Sequence, residues 1–522
     1  MTTRREFLRA VGVSGGAGAM FATMGALGLA PDAAHAATPK YHAPSPGDFT
    51  LTGRSAKKVV ILGGGVAGLA TAYELGKAGY DCTVLEARAV AGGRNRTIRG
   101  GDTETDLDGR TQRATFSDGQ YLNAGPARLA QWMVTLDYCR ELGVPVEVFT
   151  NSNADALIYN AGMSAPVRYR TAKADFYGYV AELLTKATNQ GALDTALTAD
   201  DKARLVSFLS GFGALTGGVY QGTSRRGYAS DPGAGNDAGT LLGAPPALSD
   251  VLASGAGRYF SFELGYDQAM LMFQPVGGMD AIPRALTGAI GARRVVLGAA
   301  VTSVTSSERG VTVRYTRAGR AAEIKADFCV ATLPPHLMAR VPHNLGPDVT
   351  AALGAFGVTA SGKIGLEYRT RWWENELGIY GGITETDLDL AHVWYPSYGY
   401  HGRRGVIVGY YNTGASAVSY GALTHPERLE RALTQGAKIH GPRYRQDLAS
   451  SFSIAWQKVP YLEGAWTGAP YGTAGYDLLL QPAGRVYFAG DWLSHAIAWQ
   501  HGALVSARAA VTALHSRVMT SS

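Results

Sequence analysis

Short apolar runs that end at glycine alternate with helical spacings along most of the chain. Val59-Val60-Ile61-Leu62 is such a run, apolar throughout and mostly β-branched, as a strand buried on both faces requires. It runs into Gly63-Gly64-Gly65-Val66-Ala67-Gly68. Behind that, Leu69, Ala72, Tyr73, Leu75 and Gly76 recur at helical spacing, and Gly79 stops the helix. Cys82-Thr83-Val84-Leu85 predicts a second strand, closed by Glu86. Near the other end, the residues from Gly484 to Asp491 read as a strand, a turn and an acid. A helical pattern follows through Leu504, Ala507 and Val511. Between these ends, Val295–Gly298 and Val301–Val304 predict a strand pair, and Gly310–Tyr315 alternates as a strand. Asp327–Pro334 predicts another strand, ending in a proline-rich turn. Helical runs cover Ala172–Thr188 and Ala199–Leu209, and a Gly/Ala/Pro-rich loop lies near Asp231–Pro246.

Length and composition narrow the classes. The 522 residues allow roughly three domain-sized units. With 46% apolar and 17% charged residues, wholesale disorder is excluded. The net charge of +6 is spread over basic pairs such as Lys57-Lys58, Arg225-Arg226 and Arg403-Arg404, so a nucleic-acid partner is not expected. The cysteines Cys82, Cys139 and Cys329 form no CxxC, which excludes a zinc knuckle, and they read as small buried residues. No metal site is expected.

The first residues, Arg4-Arg5-Glu6-Phe7-Leu8, resemble a twin-arginine export signal, with Ala34-His35-Ala36 at the cleavage position. Ala10–Ala30 is long enough to cross a bilayer, but its six glycines favour a cleaved signal over an anchor. The expectation is removal of residues 1–36 and a soluble periplasmic or secreted protein without stable membrane insertion.

The glycine-rich turn carries the first chemistry. Gly63 permits a tight turn, Gly65 lets backbone N–H groups approach a pyrophosphate, and Gly68 lets helix and strand pack closely. Val66 and Ala67 open the helix, whose N-terminus favours an anion. Glu86 lies 18 residues beyond Gly68, placed to accept hydrogen bonds from an adenosine ribose. A lone GxGxxG is weak in a chain with 68 glycines, but this one has strand, helix, second strand and acid in order. It predicts dinucleotide binding.

Glu86-Ala87-Arg88 followed by Ala91-Gly92-Gly93-Arg94 resembles the signature of flavin-dependent amine oxidases. Gly490-Asp491 and Ala498-Trp499-Gln500-His501-Gly502 extend the resemblance to the C-terminus. It implies an α/β chain: an FAD-binding Rossmann-type (glutathione-reductase-like) domain built from residues 37–125, 275–345 and 476–522. Residues 126–274 would form a helical or lid region with part of the substrate domain, and 346–475 an α+β substrate-binding domain. FAD would be noncovalent. Arg88, Gly93, Arg94 and Asp491 would hold it, the backbone of Val301 would meet the adenine, and the last helix would begin at the flavin ring. Asp491 also reads as a simple N-cap.

Asn123-Ala124-Gly125-Pro126-Ala127-Arg128 is similar to the Gly-Pro-x-Arg stretch of L-amino-acid oxidases, where the arginine grips a carboxylate. A planar guanidinium pairs both carboxylate oxygens. The same resemblance gives Tyr410 a second carboxylate contact, with Tyr411 a close competitor. It gives the Ala498 carbonyl to the substrate amine, and makes Trp499 and Trp466 the pocket walls. Lys363, in Ser361-Gly362-Lys363-Ile364, looks like the family's lysine that faces flavin N5 through a water. Gln500 and His501 depart from the venom-type enzymes. The implied reaction is oxidative deamination of L-amino acids by hydride transfer from Cα to N5, with molecular oxygen as acceptor. The products are a 2-oxo acid, ammonia and hydrogen peroxide. Alternatives are another flavin amine oxidase for monoamines, polyamines or tryptophan-type substrates, and a dehydrogenase with a different acceptor. A homodimer is compatible with the family.

Overall fold

A computed structural model of the chain describes residues 49–521, so the export signal expected at residues 1–36 lies outside them. Leu157–Phe262 forms a smaller compact unit, and the described residues on either side of it form a larger one. Within residues 126–274, where a helical or lid region and part of the substrate domain are expected, Leu157–Phe262 is the part that separates as its own unit. Its flanks belong to the larger unit, where Val146–Thr150 pairs antiparallel with Leu271–Pro275.

The elements of the larger unit that build the site are, in chain order, β1 (Lys58–Leu62), α1 (Val66–Lys77), β2 (Asp81–Glu86), β3 (Val295–Leu297) and β4 (Phe328–Ala331). There follow β5 (Ser361–Tyr368), β6 (Ile383–Thr386), β7 (His392–Trp394), β8 (Gly405–Thr413), β9 (Leu448–Ala455), β10 (Val486–Phe488) and α2 (Gln500–Thr520). One sheet is parallel and five-stranded, in the order β3-β2-β1-β4-β10. Three distant stretches of chain thus meet in one sheet.

Alternation explains why β1 is apolar throughout. Val59 and Ile61 enter one core with Leu69 of α1 and Leu504 and Val511 of α2. Val60 and Leu62 enter a second core on the other face, with Val304, Val313 and Phe356. Cys82 and Cys139 lie in the first core and Cys329 in the second, all free, and burial pushes the Cys82 and Cys139 thiols up to about 12.

The expected pairing of Val295–Gly298 with Val301–Val304 does not form. Val295–Leu297 is the parallel edge strand on β2, whereas Val301 sits in Ala299–Ser306 of a separate three-stranded antiparallel sheet. Both segments are β-branched and short, and nothing local distinguishes a parallel edge from an antiparallel partner. The second sheet that matters is antiparallel. Within the larger unit it runs β9-β5-β8-β7-β6, with Lys363 opposite Tyr411 and Ile364 opposite Tyr410.

The smaller unit packs the helix Tyr169–Asn189 against Ala199–Gly213, the latter N-capped by Thr198, whose side chain accepts from Asp201 N at 3.2 Å. A buried pair, Arg226 Nε to Asp175 Oδ1 at 2.6 Å, and the Tyr220 hydroxyl on the same oxygen at 2.8 Å tie the first of these helices to the loop that follows the second. No described helix is long and apolar enough to cross a membrane.

The β1–α1 junction makes a direct test. A Cβ on Gly68 would stand 2.0 Å from the Gly63 carbonyl oxygen, whereas one on Gly65 would meet nothing within 4 Å. Gly68→Ala should cost about 3 kcal/mol or more, at or beyond the top of the usual overpacking range. Gly65→Ala should leave stability of the flavin-free protein within about 0.5 kcal/mol. Thermal melts by circular dichroism compare them, and equal melts would contradict the close approach.

Candidate active site

The carboxyl ends of the parallel strands open onto a cleft. Gly63, with φ of +98°, turns the chain out of β1. Gly65 has an ordinary extended conformation, and open space where a side chain would stand. Gly65, Val66 and Ala67 line the cleft, while Gly68 is spent on the strand contact. Glu86, at the end of β2, lines the cleft and accepts from Gly64 N at 2.8 Å and Arg88 N at 2.7 Å. Burial raises its pKa, and the two N–H groups oppose the rise. Arg88 is held by both oxygens of Glu104, at 2.8 and 2.7 Å. Ala87 and Gly93 complete this wall.

In the middle stands Asp491, just past β10. It is 4% exposed and is not a helix N-cap, since α2 begins nine residues later. One carboxylate oxygen accepts from Arg94 Nη2, and the other from Ala498 N at 2.9 Å. Arg94 Nη1 donates to the Ala465 carbonyl at 2.6 Å, beside Trp466. Ala498 has φ of +67°, a left-handed conformation that costs an alanine about 1–2 kcal/mol. The Asp491 hydrogen bond holds it there. Ala498, Trp499, Gly490 and Trp466 all line the cleft.

At the far end, β5 and β8 present Lys363 and Tyr411 side by side. The Lys363 Nζ lies 4.7 Å from the Tyr411 ring and 5.1 Å from the Trp394 ring. It donates to the carbonyls of Asn123, at 3.2 Å, and Gly125. Burial, with help from the Arg128 charge, pulls its pKa down from 10.5 to about 7. The Arg128 guanidinium lies 4.7 Å over the same Trp394 ring. Burial lowers its pKa too, opposed by Tyr411, Glu385 and Asp267. The Trp499 Nε1 donates to Asp267 at 2.9 Å.

Several expected residues fall elsewhere. Tyr410 is fully buried against Tyr420, at 4.6 Å between ring centres, on the face of β8 away from the cleft. Successive strand residues point to opposite faces, so the competitor Tyr411 is the one that reaches the cleft. Val301 is not among the lining residues and stands on the three-stranded sheet. Gly125 and Pro126 line the cleft, whereas Ala127 packs into a small core with Phe149 and Trp394, and Arg128 stands behind Tyr411 and Lys363. Asn95, Trp456, Trp492 and Gln500 also line it, and no role was expected of them from sequence. Trp456 donates to the Ala124 carbonyl at 3.0 Å, fixing the stretch before Arg128.

The cleft suits FAD. Asn95 Nδ2 and Oδ1, Trp492 Nε1 and both amide atoms of Gln500 are buried with no hydrogen-bond partner among the described residues. Each such atom costs about 1–3 kcal/mol. A long ligand rich in donors and acceptors would satisfy them, and the bare Gly65 leaves room for its pyrophosphate. No group of His, Cys, Asp or Glu among the described residues is placed to hold a metal.

Comparison with known proteins agrees. The profile of the flavin containing amine oxidoreductase family matches residues 66–515. A Bacillus subtilis (strain 168) protein, YobN, whose name gives L-amino-acid oxidase as a provisional activity, is 26% identical over 86% of this chain and 93% of its own. The L-amino-acid oxidase of Bothrops pauloensis is 27% identical over 85% of this chain and 86% of its own. Among solved structures, cyclohexylamine oxidase from Brevibacterium oxydans IH-35A aligns with a TM-score of 0.60 and 17% identity, over 89% of this chain and 100% of that one. Putrescine oxidase bound to putrescine aligns at 0.57 and 19% identity, over 89% and 99%. The structural likeness speaks for the fold alone. The dinucleotide cleft and a profile spanning most of the chain place this protein in the flavin-containing amine oxidoreductase family, with FAD as its cofactor.

Proposed function

We propose that the chain deaminates L-amino acids oxidatively, with oxygen as acceptor. The observation that carries this reading is Arg128, a cation held against Trp394 next to Lys363 and Tyr411, which line the cleft. A substrate without a carboxylate has no use for a guanidinium there. Taking a cation from water is costly, and an aromatic face returns only about 1–2 kcal/mol. An incoming carboxylate would add to the field of Glu385 and Asp267, which also favours the charged guanidinium. The names of the curated relatives support the same substrate class.

In this reading Arg128 pairs the carboxylate and Tyr411, in place of Tyr410, donates its hydroxyl to it. The Ala498 carbonyl accepts from the substrate amine, its direction set by the left-handed backbone that Asp491 holds. Trp499 and Trp466 exclude water from the reacting carbon. Bound FAD supplies the two-electron acceptor for the Cα–H bond. Lys363, neutral above about pH 7, adds no second cation beside Arg128 and holds a water at Nζ. Orientation is the protein's share of the catalysis. Overall, amino acid, water and oxygen give 2-oxo acid, ammonia and hydrogen peroxide.

Arg128→Ala should raise KM for L-amino acids about 100-fold or more while FAD stays bound, the loss expected for a charge-assisted bidentate pair. Steady-state kinetics with a flavin spectrum measure both, and wild-type kinetics would remove the carboxylate assignment.

Lys363 gives a stability test. The folded chain holds this proton less readily than the unfolded one between about 7 and the ordinary 10.5. In that window the unfolded chain carries more protons, so stability rises with pH by up to about 1.4 kcal/mol per unit. Below it the penalty is present in full. Lys363→Met should therefore be more stabilising, or less destabilising, at about pH 6 than at about pH 10. Denaturant melts at the two pH values measure the difference, and one independent of pH would contradict a buried, hard-to-charge Lys363.

A further inference from the structure

We propose that the Gln500 side-chain amide is a ligand of the flavin ring, hydrogen-bonding the imide edge of its pyrimidine half. Gln500 is 5% exposed, lines the cleft, and neither its Nε2 nor its Oε1 has a partner among the described residues. A buried primary amide with both ends unmet is an expensive arrangement unless a ligand meets them.

Its position selects the part of the ligand. Gln500 follows Trp499, which packs against the small core of Ala127, Phe149 and Trp394 together with Tyr411. His501, next along, accepts from Val134 N at 3.1 Å through Nδ1. Residues 499–501 therefore belong to the Tyr411 end of the cleft, away from Glu86 and the turn that suits a pyrophosphate. The ligand portion at this end is the ring. Its imide edge offers one N–H between two carbonyl oxygens, which matches an amide that gives one donor and one acceptor side by side. A cationic side chain would suit a phosphate instead.

Gln500 is also the first residue of α2, whose N-terminus has no side-chain cap and no acid in its first turn. The amide donor and the helix end thus act in the same direction, favouring electron density on the adjacent ring oxygen. Reduction of the ring increases that density, so the contact should favour the reduced cofactor.

The assignment rests on FAD and not on the identity of the amine, and its test uses no substrate. Purified holoenzymes of wild type, Gln500→Leu and Gln500→Glu are compared by dye-equilibrated reduction potential and by FAD dissociation constant. Gln500→Leu should bind the reduced flavin about tenfold more weakly relative to the oxidised, a drop of about 30 mV for a two-electron couple. Its overall FAD dissociation constant should also rise. Gln500→Glu keeps the shape but loses the donor, and its potential should fall at least as far. A flavin-free Gln500→Leu with wild-type circular dichroism supports the contact, and if that variant misfolds Gln500→Glu decides. Wild-type potential and FAD affinity in the folded variants would overturn the assignment, and a shift in KM alone would give the amide to the substrate.

Discussion

The carboxylate of Asp491 is the contact on which the site depends. Its two oxygens are divided between Arg94, from the loop after β2, and the backbone of Ala498, from the turn before α2. Arg94 in turn reaches Ala465, ahead of Trp466. One buried anion therefore ties the loop after β2 to two C-terminal segments, at Ala465 and at Asp491–Ala498, that lie 371 and 397 residues further along the chain. It also stabilises the left-handed backbone at Ala498, which no local preference of alanine would produce. Without that carboxylate Arg94 would lack its anion and Ala498 would relax, so cofactor wall and substrate wall would be lost together.

The reaction end follows a second rule, that cations are admitted only where aromatic faces and carbonyls replace water. Lys363 and Arg128 share the Trp394 ring, and Lys363 adds the carbonyls of Asn123 and Gly125. Those carbonyls belong to the stretch that leads into Arg128. The lysine therefore anchors the loop that carries the arginine, and its lowered pKa limits the repulsion between them. A proposed amino-acid substrate would place its carboxylate beside these cations, in the field that Glu385 and Asp267 already set at Arg128.

Much of the fold was legible because its signals are local. The order of β1, glycine turn, α1 and β2 is written in consecutive residues, as are β10, Asp491 and α2. The burial of Val59–Leu62 on both faces could be read from its uniform apolarity. Other features depend on pairing, which sequence does not display. The phase of β8 decides between Tyr410 and Tyr411, and that phase shows only in the register that puts Tyr411 opposite Lys363. The parallel edge at Val295–Leu297 and the antiparallel strand holding Val301 look alike as isolated segments. Asn95, Trp456 and Trp492 gave no sequence signal, because what marks Asn95 and Trp492 is a buried polar atom without a partner and what marks Trp456 is its bond to Ala124, both visible only in the folded chain.

The central claim is that the amine this flavoprotein oxidises carries a carboxylate. Anaerobic bleaching of the bound flavin tests it most directly, with L-amino acids, D-amino acids and primary amines added separately to the purified protein. The account predicts bleaching by L-amino acids alone, and return of the yellow spectrum with hydrogen peroxide when air is readmitted. Bleaching by primary amines and not by L-amino acids would contradict it and reduce Arg128 to a structural cation.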